Sequence, residues 1–262
     1  MDAAPLPFVD PHVHADSRSV EEFPRLAAAG CVGLLALSGP GGGYRSPDSL
    51  LDHFRRLDRV DRPRIEAAGM RAWIGVGIHP AGIPENDLDG MLEAWPEALA
   101  EYRAAAVGEV GLERGGEREE RVLARAFAVA AAAGLPLVLH TPRRDKRRLL
   151  ERALALLAAS ACPPQRVLAD HLDADTLEPA RAAGCWLGLS VHPAKLGPAA
   201  AADLVERYGI ERLLIDSDMG VNPSHLFALP ATISALRDRG LGEPDIRAVV
   251  CDHAAALIGA QL

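Results

Sequence analysis

Two histidines one residue apart, His12-Val13-His14, follow an apolar run that begins near Leu6. Four more residues of metal-ligating type close later apolar runs. Glu109 lies in Val107-Gly108-Glu109-Val110-Gly111, His140 follows Leu137-Val138-Leu139, His171 follows Val167-Leu168-Ala169-Asp170, and Asp216 follows Leu213-Leu214-Ile215. Imidazole and carboxylate together suit divalent Zn, Mn, Fe or Ni, and a carboxylate can be shared between two ions. The chemistry expected of such a set is hydrolysis by a water whose pKa a metal lowers. Two divalent ions are expected on His12, His14, Glu109, His140, His171 and Asp216, with Mg not distinguished from the others. Glu109 is the expected bridge. Asp216 is expected to hold one ion and to take the proton from the water, which makes Asp216 and Glu109 the catalytic carboxylates.

Each of these residues also has a plainer reading. An H-x-H pair arises by chance, and the prolines around it fit an exit turn. Glu109, a carboxylate inside an apolar run, has to be paired because burying a lone charge is costly; an arginine would serve as well as a metal. A single histidine after an apolar run is more often a packed or solvated group than a ligand. Recurrence of the same placement on successive runs favours metal.

Other chemistry-bearing residues surround this set. His79 in Gly77-Ile78-His79-Pro80 is expected to contact substrate, although a turn-forming role fits it equally. His192 in Val191-His192-Pro193 has the same two readings, and His225 and His253 are assigned no role. The densest basic run is Arg143-Arg144-Asp145-Lys146-Arg147-Arg148, just beyond His140 at the start of a helical pattern. Cations there oppose the helix dipole, so at least one of Arg143, Arg144 or Lys146 is expected to meet an anion. A substrate phosphate is the anion proposed for Arg143 and Arg144.

The elements that must position these groups read as an alternation. Eight apolar runs predict strands over Leu6–Asp10, Cys31–Leu37, Ala72–Ile78, Ala104–Glu109, Leu135–Leu139, Val167–Asp170, Trp186–Ser190 and Leu213–Asp216. They are continuous rather than alternating, as strands covered on both faces are. Amphipathic patterns between them predict helices over Val20–Ala29, Asp48–Ala68, Asp87–Tyr102, Arg121–Ala133, Lys146–Ala159, Thr176–Ala183 and Ala199–Tyr208, several closed by glycine. Two more, Ser224–Arg239 and Pro244–Ile258, follow the last strand. Eight β-α units predict an α/β fold, a single (β/α)8 TIM barrel over residues 1–262, in which strand ends far apart in sequence share one face. Gly39-Pro40-Gly41-Gly42-Gly43 reads as a loop after the second strand, with a mobile lid at the catalytic face and a plain connector as equal readings.

Composition narrows the partners. The formal net charge is −8, whereas extended nucleic-acid surfaces are basic. An extended nucleic-acid contact is therefore not expected, and a small anionic molecule is. Cys31, Cys162, Cys185 and Cys251 have no C-x-x-C spacing, which argues against a disulfide framework and a thiolate metal site. No leader precedes Asp10 and no apolar stretch is long enough to span a membrane, so a cytoplasmic setting is expected. The oligomeric state is not legible.

With these residues in place, the chain resembles the TatD-type metal-dependent hydrolases of the amidohydrolase superfamily, from Val9 to Gly259. The resemblance is carried by His12-Val13-His14, by Gly108-Glu109-Val110-Gly111-Leu112-Glu113 against G-E-I-G-L-D, by Gly77-Ile78-His79-Pro80 against G-x-H-P, and by the order of His140, His171 and Asp216. It implies a barrel. It also implies one ion on the early histidines, the glutamate and the last aspartate, and another on the glutamate and the later histidines. Three segments depart from the pattern: His140-Thr141-Pro142-Arg143, Ile215-Asp216-Ser217-Asp218-Met219 and His171-Leu172-Asp173-Ala174-Asp175. They point to a TatD-like side branch rather than to the DNases. The expected reaction is hydrolysis of a phosphoester in a small metabolite or short oligonucleotide. Hydrolysis of an amide, ester or lactone is the alternative, ahead of a metal-dependent isomerase or aldolase and of a non-catalytic metabolite-binding or scaffolding relative.

Overall fold

The computed structural model describes residues 5–41 and 43–261, so Gly42 of the glycine-rich loop lies outside the described residues. Among the described residues there are eight strands: β1 Phe8–Val13, β2 Cys31–Leu37, β3 Arg71–Gly75, β4 Val107–Gly111, β5 Leu137–His140, β6 Val167–Ala169, β7 Trp186–Ser190 and β8 Leu213–Asp216. The helices that alternate with them are α1 Glu22–Ala28, α2 Pro47–Arg56, α3 Arg62–Glu66, α4 Leu88–Glu101, α5 Glu117–Ala133, α6 Lys146–Ala158, α7 Leu177–Ala182 and α8 Pro198–Tyr208. After β8 come α9 Ala228–Asp238, α10 Glu243–Arg247 and α11 His253–Ile258. The strands form a sheet in the order β1-β2-β3 and another in the order β4-β5-β6-β7-β8. Every residue of β1, β4, β6 and β8 is buried, which is why their sequences run apolar without alternating.

The chain forms two compact units. The first comprises Met1–Ala36, Asp61–Trp73 and Gly188–Leu262. In it β1 pairs in parallel with β2, from Phe8 opposite Cys31 to Val13 opposite Ala36, with a step in register between Asp10 and Val13. On its other edge Val13 bridges Met219, where the His14 N–H donates to the Met219 carbonyl at 2.8 Å. The Val191 N–H donates to the Asp216 carbonyl, tying the exit of β7 to the end of β8. His253 Nδ1 donates to the Leu213 carbonyl, 2.7 Å away, at the start of β8.

The second unit comprises Leu37–Val60 and Ile74–Leu187. Here β4, β5, β6 and the start of β7 run in parallel register, and Gly75 bridges Ala106 to join the end of β3. Three glutamates, Glu117, Glu119 and Glu120, occupy the first turn of α5, where the helix dipole favours them, and Gly134 ends that helix at φ 65°. Trp95 of α4 is fully buried and its indole N–H donates to the Val76 carbonyl at 3.2 Å.

Some expected boundaries shift. β1 continues to Val13 instead of stopping at Asp10, so His12 sits within the strand. β3 stops at Gly75, and Val76 and Ile78 stay buried without strand geometry. The long helix expected over 48–68 is interrupted by a π-helical turn at Leu57–Asp61, and the last helix by another at Ala248–Asp252. α5 begins at Glu117, earlier than Arg121.

Candidate metal centre

In the first unit, Asp10 and His12 both lie on β1. His14 follows the strand end, and the Nε2 atoms of His12 and His14 are 3.4 Å apart. Asp218 Oδ1 lies 3.4 Å from His12 Nε2 and 3.5 Å from His14 Nε2. The other Asp218 oxygen accepts from the Lys195 ammonium. Asp216, fully buried, accepts from the Asp218 N–H at 3.1 Å. Behind His12, Asp10 Oδ1 accepts from the Ser217 N–H at 3.1 Å and the His12 N–H at 3.3 Å. Burial pushes the Asp10 carboxyl up to about 6, against the opposing pull of its hydrogen bonds to Ser217.

The second unit carries the denser cluster. Glu109 is buried, and one of its oxygens, Oε1, meets His140 Nδ1 at 2.7 Å and His171 Nε2 at 2.8 Å. His79 Nε2 lies 3.6 Å from the other oxygen, while its Nδ1 accepts from the Ala81 N–H. Ligand atoms of His79, Glu109 and His140 lie close enough together to share one ion. His140 turns its Nε2 to Glu113 Oε2 at 3.0 Å; this hydrogen bond, with the charge of Arg143 contributing, holds the Glu113 carboxyl below the usual range. His171 has φ 60°, a left-handed conformation that costs a non-glycine residue energy. The buried Asp170 carboxylate accepts from the His171 N–H at 2.7 Å and so holds that residue in place.

The glycines around Glu109 allow this approach. A Cβ on Gly77 would come within 2.4 Å of the Gly108 carbonyl carbon, and one on Gly111 within 2.5 Å of the His140 carbonyl oxygen. Gly77, and Gly111 at the end of the Gly-Glu-Val-Gly motif, thus let the backbone around Glu109 approach the segment after β3 on one side and β5 on the other.

The donor chemistry fits a divalent metal. Burying a carboxylate demands compensation, and here imidazoles converge on Glu109. Imidazole nitrogen with carboxylate oxygen is the ligand set of Zn, Mn, Fe and Ni sites.

The basic run behaves as its position demands. Lys146 meets an internal anion, Asp173, at 3.0 Å, and also donates to the His171 carbonyl. Arg143 and Arg144 are exposed on the loop between β5 and α6. Sequence reasoning missed Glu113, Asp10, Asp170 and Lys195. Asp10 at i−2 from His12 carries a periodicity signal, and Asp170 and Glu113 stand within the motifs themselves. Lys195 carries none, because its contact depends on the loop after β7.

The sequence pattern described as TatD related DNase matches residues 9–231. This chain belongs to that family. An uncharacterized metal-dependent hydrolase of Methanocaldococcus jannaschii is 29% identical over 247 residues, covering 94% of this chain and 97% of that protein. Among solved structures, a TatD-like protein of Archaeoglobus fulgidus superposes with TM-score 0.82 at 24% identity, over 97% of this chain and 100% of the other. The phosphotriesterase homology protein of Escherichia coli, solved with phosphate in its active site, superposes with TM-score 0.73 at 16% identity, over 97% and 99% of the two chains. The fold class of this TatD protein is the (β/α)8 barrel, as the eight β-α units lead one to expect. Its class of chemistry is that of the TatD and amidohydrolase-type metal-dependent hydrolases.

Proposed function

We propose that this TatD protein hydrolyses a phosphoester of a small metabolite or short oligonucleotide, with two divalent ions held by His12, His14, Glu109, His140, His171 and Asp216. The observation that carries the reading is Glu109: a buried carboxylate oxygen within 2.8 Å of two imidazole nitrogens supports a metal-ligand role. Bound divalent metal supplies Lewis-acid stabilisation of charge on the reacting oxygens and acidifies water.

The chain's own residues do the rest. Asp216 accepts the proton of the attacking water; its hydrogen bond from the Asp218 N–H fixes the carboxylate's orientation. Asp170 and Glu113 orient His171 and His140. Arg143, Arg144 and His79 hold the anionic group of the substrate. The phosphate bound by the Escherichia coli homology protein supports an oxyanion substrate, and the net charge of −8 supports a small one over a long nucleic acid.

The test is metal-stripped protein reloaded separately with Zn²⁺, Mn²⁺, Mg²⁺ and Ni²⁺ and assayed on phosphomonoesters, phosphodiesters, short oligonucleotides, esters, lactones and amides. Turnover of a phosphoester that depends on metal and is lost in Glu109→Gln is the expected result. Turnover confined to amides, esters or lactones would replace the substrate class and leave the metal reading intact.

A further inference from the structure

A cavity of about 290 Å³ lies wholly within the first unit, walled by Val191, Pro193, Leu196 and Ala231, with His192 and His225 as its polar members. Its walls are the segments that follow β7 and β8. The first is a tight loop: the His192 N–H donates to the Leu196 carbonyl at 3.0 Å, and the Lys195 N–H to the His192 carbonyl at 2.8 Å. Lys195 extends from this loop to Asp218, which faces His12 and His14. The second segment runs from Asp216 and Asp218 through His225 into α9. The two stretches of chain that shape the cavity are therefore the two that carry Lys195 and Asp218.

The cavity's chemistry differs from that of the cluster beside it. No acidic side chain, lysine or arginine is among its described lining residues. A phosphate would lose its hydration there without compensation, so the cavity does not suit the reacting group. Apolar walls with a few polar groups are the usual make-up of a small-molecule site. Proline and alanine give stiff, shallow walls, and imidazoles offer ring faces and edges for stacking. About 150 Å³ suffices for a benzene-sized guest, so this volume accommodates one ring or a fused pair.

We infer that the cavity is the subsite for an uncharged aromatic or heteroaromatic ring of the substrate, whose ester group is held at the neighbouring His12–Asp218 cluster. The inference rests on the phosphoester reading for its kinetics but not for its binding test. Metal-loaded wild type, Ala231→Phe, which fills the cavity, and His225→Ala, at an exposed position, are compared in two ways. Saturation-transfer NMR at pH 6, where the hydroxyl stays protonated and the probe uncharged, measures the binding of p-nitrophenol alone. Steady-state kinetics compare p-nitrophenyl phosphate with methyl phosphate.

Ala231→Phe is expected to weaken p-nitrophenol binding and to raise KM for p-nitrophenyl phosphate by about tenfold or more, leaving kcat/KM for methyl phosphate within about twofold. His225→Ala is expected to move both in the same direction by less. If Ala231→Phe melts early, Ala231→Leu and His225→Ala decide the matter. Undiminished p-nitrophenol binding in folded cavity variants overturns the subsite, as does failure of wild type to bind p-nitrophenol while it cleaves phosphoesters. Absence of any phosphoesterase activity with p-nitrophenol still bound and displaced by Ala231→Phe overturns the function reading and leaves the subsite standing.

Discussion

Glu109 concentrates the demands of the second unit in one side chain, since His140 and His171 converge on the same oxygen. Glu109→Gln keeps the shape and removes the charge. Metal analysis by mass spectrometry is expected to show the variant retaining one ion or none, and full two-ion occupancy would exclude a bridging role. In the first unit, Asp216→Asn is expected to lose about 10²–10⁴-fold in turnover while folding normally, the usual cost of removing a general base. Asp218→Asn is expected to retain more activity, because its carboxylate is engaged with Lys195 as well as with the histidines. A larger loss in Asp218→Asn at equal metal content would make Asp218 the base. The cysteines permit a different residue-level test. All four are buried; burial pushes the Cys251 thiol up to about 11 and Cys31 higher still. Iodoacetamide at pH 8 is therefore expected to leave the native protein unlabelled and to modify all four cysteines after denaturation. Rapid labelling of any one before unfolding would contradict its burial.

At the scale of elements, the close approach of Gly77 to Gly108 sets the position of the Glu109 backbone. Gly77→Ala forces a Cβ against backbone, which cannot yield as a flexible side chain does. A fall in melting temperature with weaker metal binding is expected, and a melting curve and metal content equal to wild type would refute the packing argument. This segment also shows where sequence reading stopped. Val76 and Ile78 are apolar because they are buried, which made them look like strand, yet the ladder ends at Gly75. β1 was legible only in part because Pro11 lacks a donor and reads as a strand end; the structure steps the register there and carries the strand on to Val13. Neither π-helical turn disturbs the apolar periodicity enough to be read. The candidate site residues stand out in the sequence because each closes an apolar run. Which oxygen each histidine would meet was not, since that depends on glycine packing and on the left-handed turn at His171.

For the whole molecule, metal is expected to act as a stabilising ligand. A ligand that binds only the folded state at about 100 times its Kd adds about 2.7 kcal/mol, roughly 5–10 °C in a protein of this size. Melting curves with and without chelator measure it, and Glu109→Gln is expected to lose most of the difference. A melting temperature indifferent to metal in wild type would count against a site formed on folding. Among the described residues, no helix is long and apolar enough to cross a membrane.

The order in which the ribosome delivers the chain gives the division into two units a biosynthetic consequence. The second unit is complete once Leu187 emerges, whereas the first still awaits everything from Gly188 onward. Met219, the partner across from Val13 of β1, follows it roughly 10–40 s later at about 5–20 residues per second. By the time His171 is made, after Glu109 and His140, the nascent chain still presents His12 on β1 and His14 just beyond it, with one strand edge open. Loading with metal during synthesis would therefore begin at the glutamate, and the N-terminal strand would be the segment most in need of shelter.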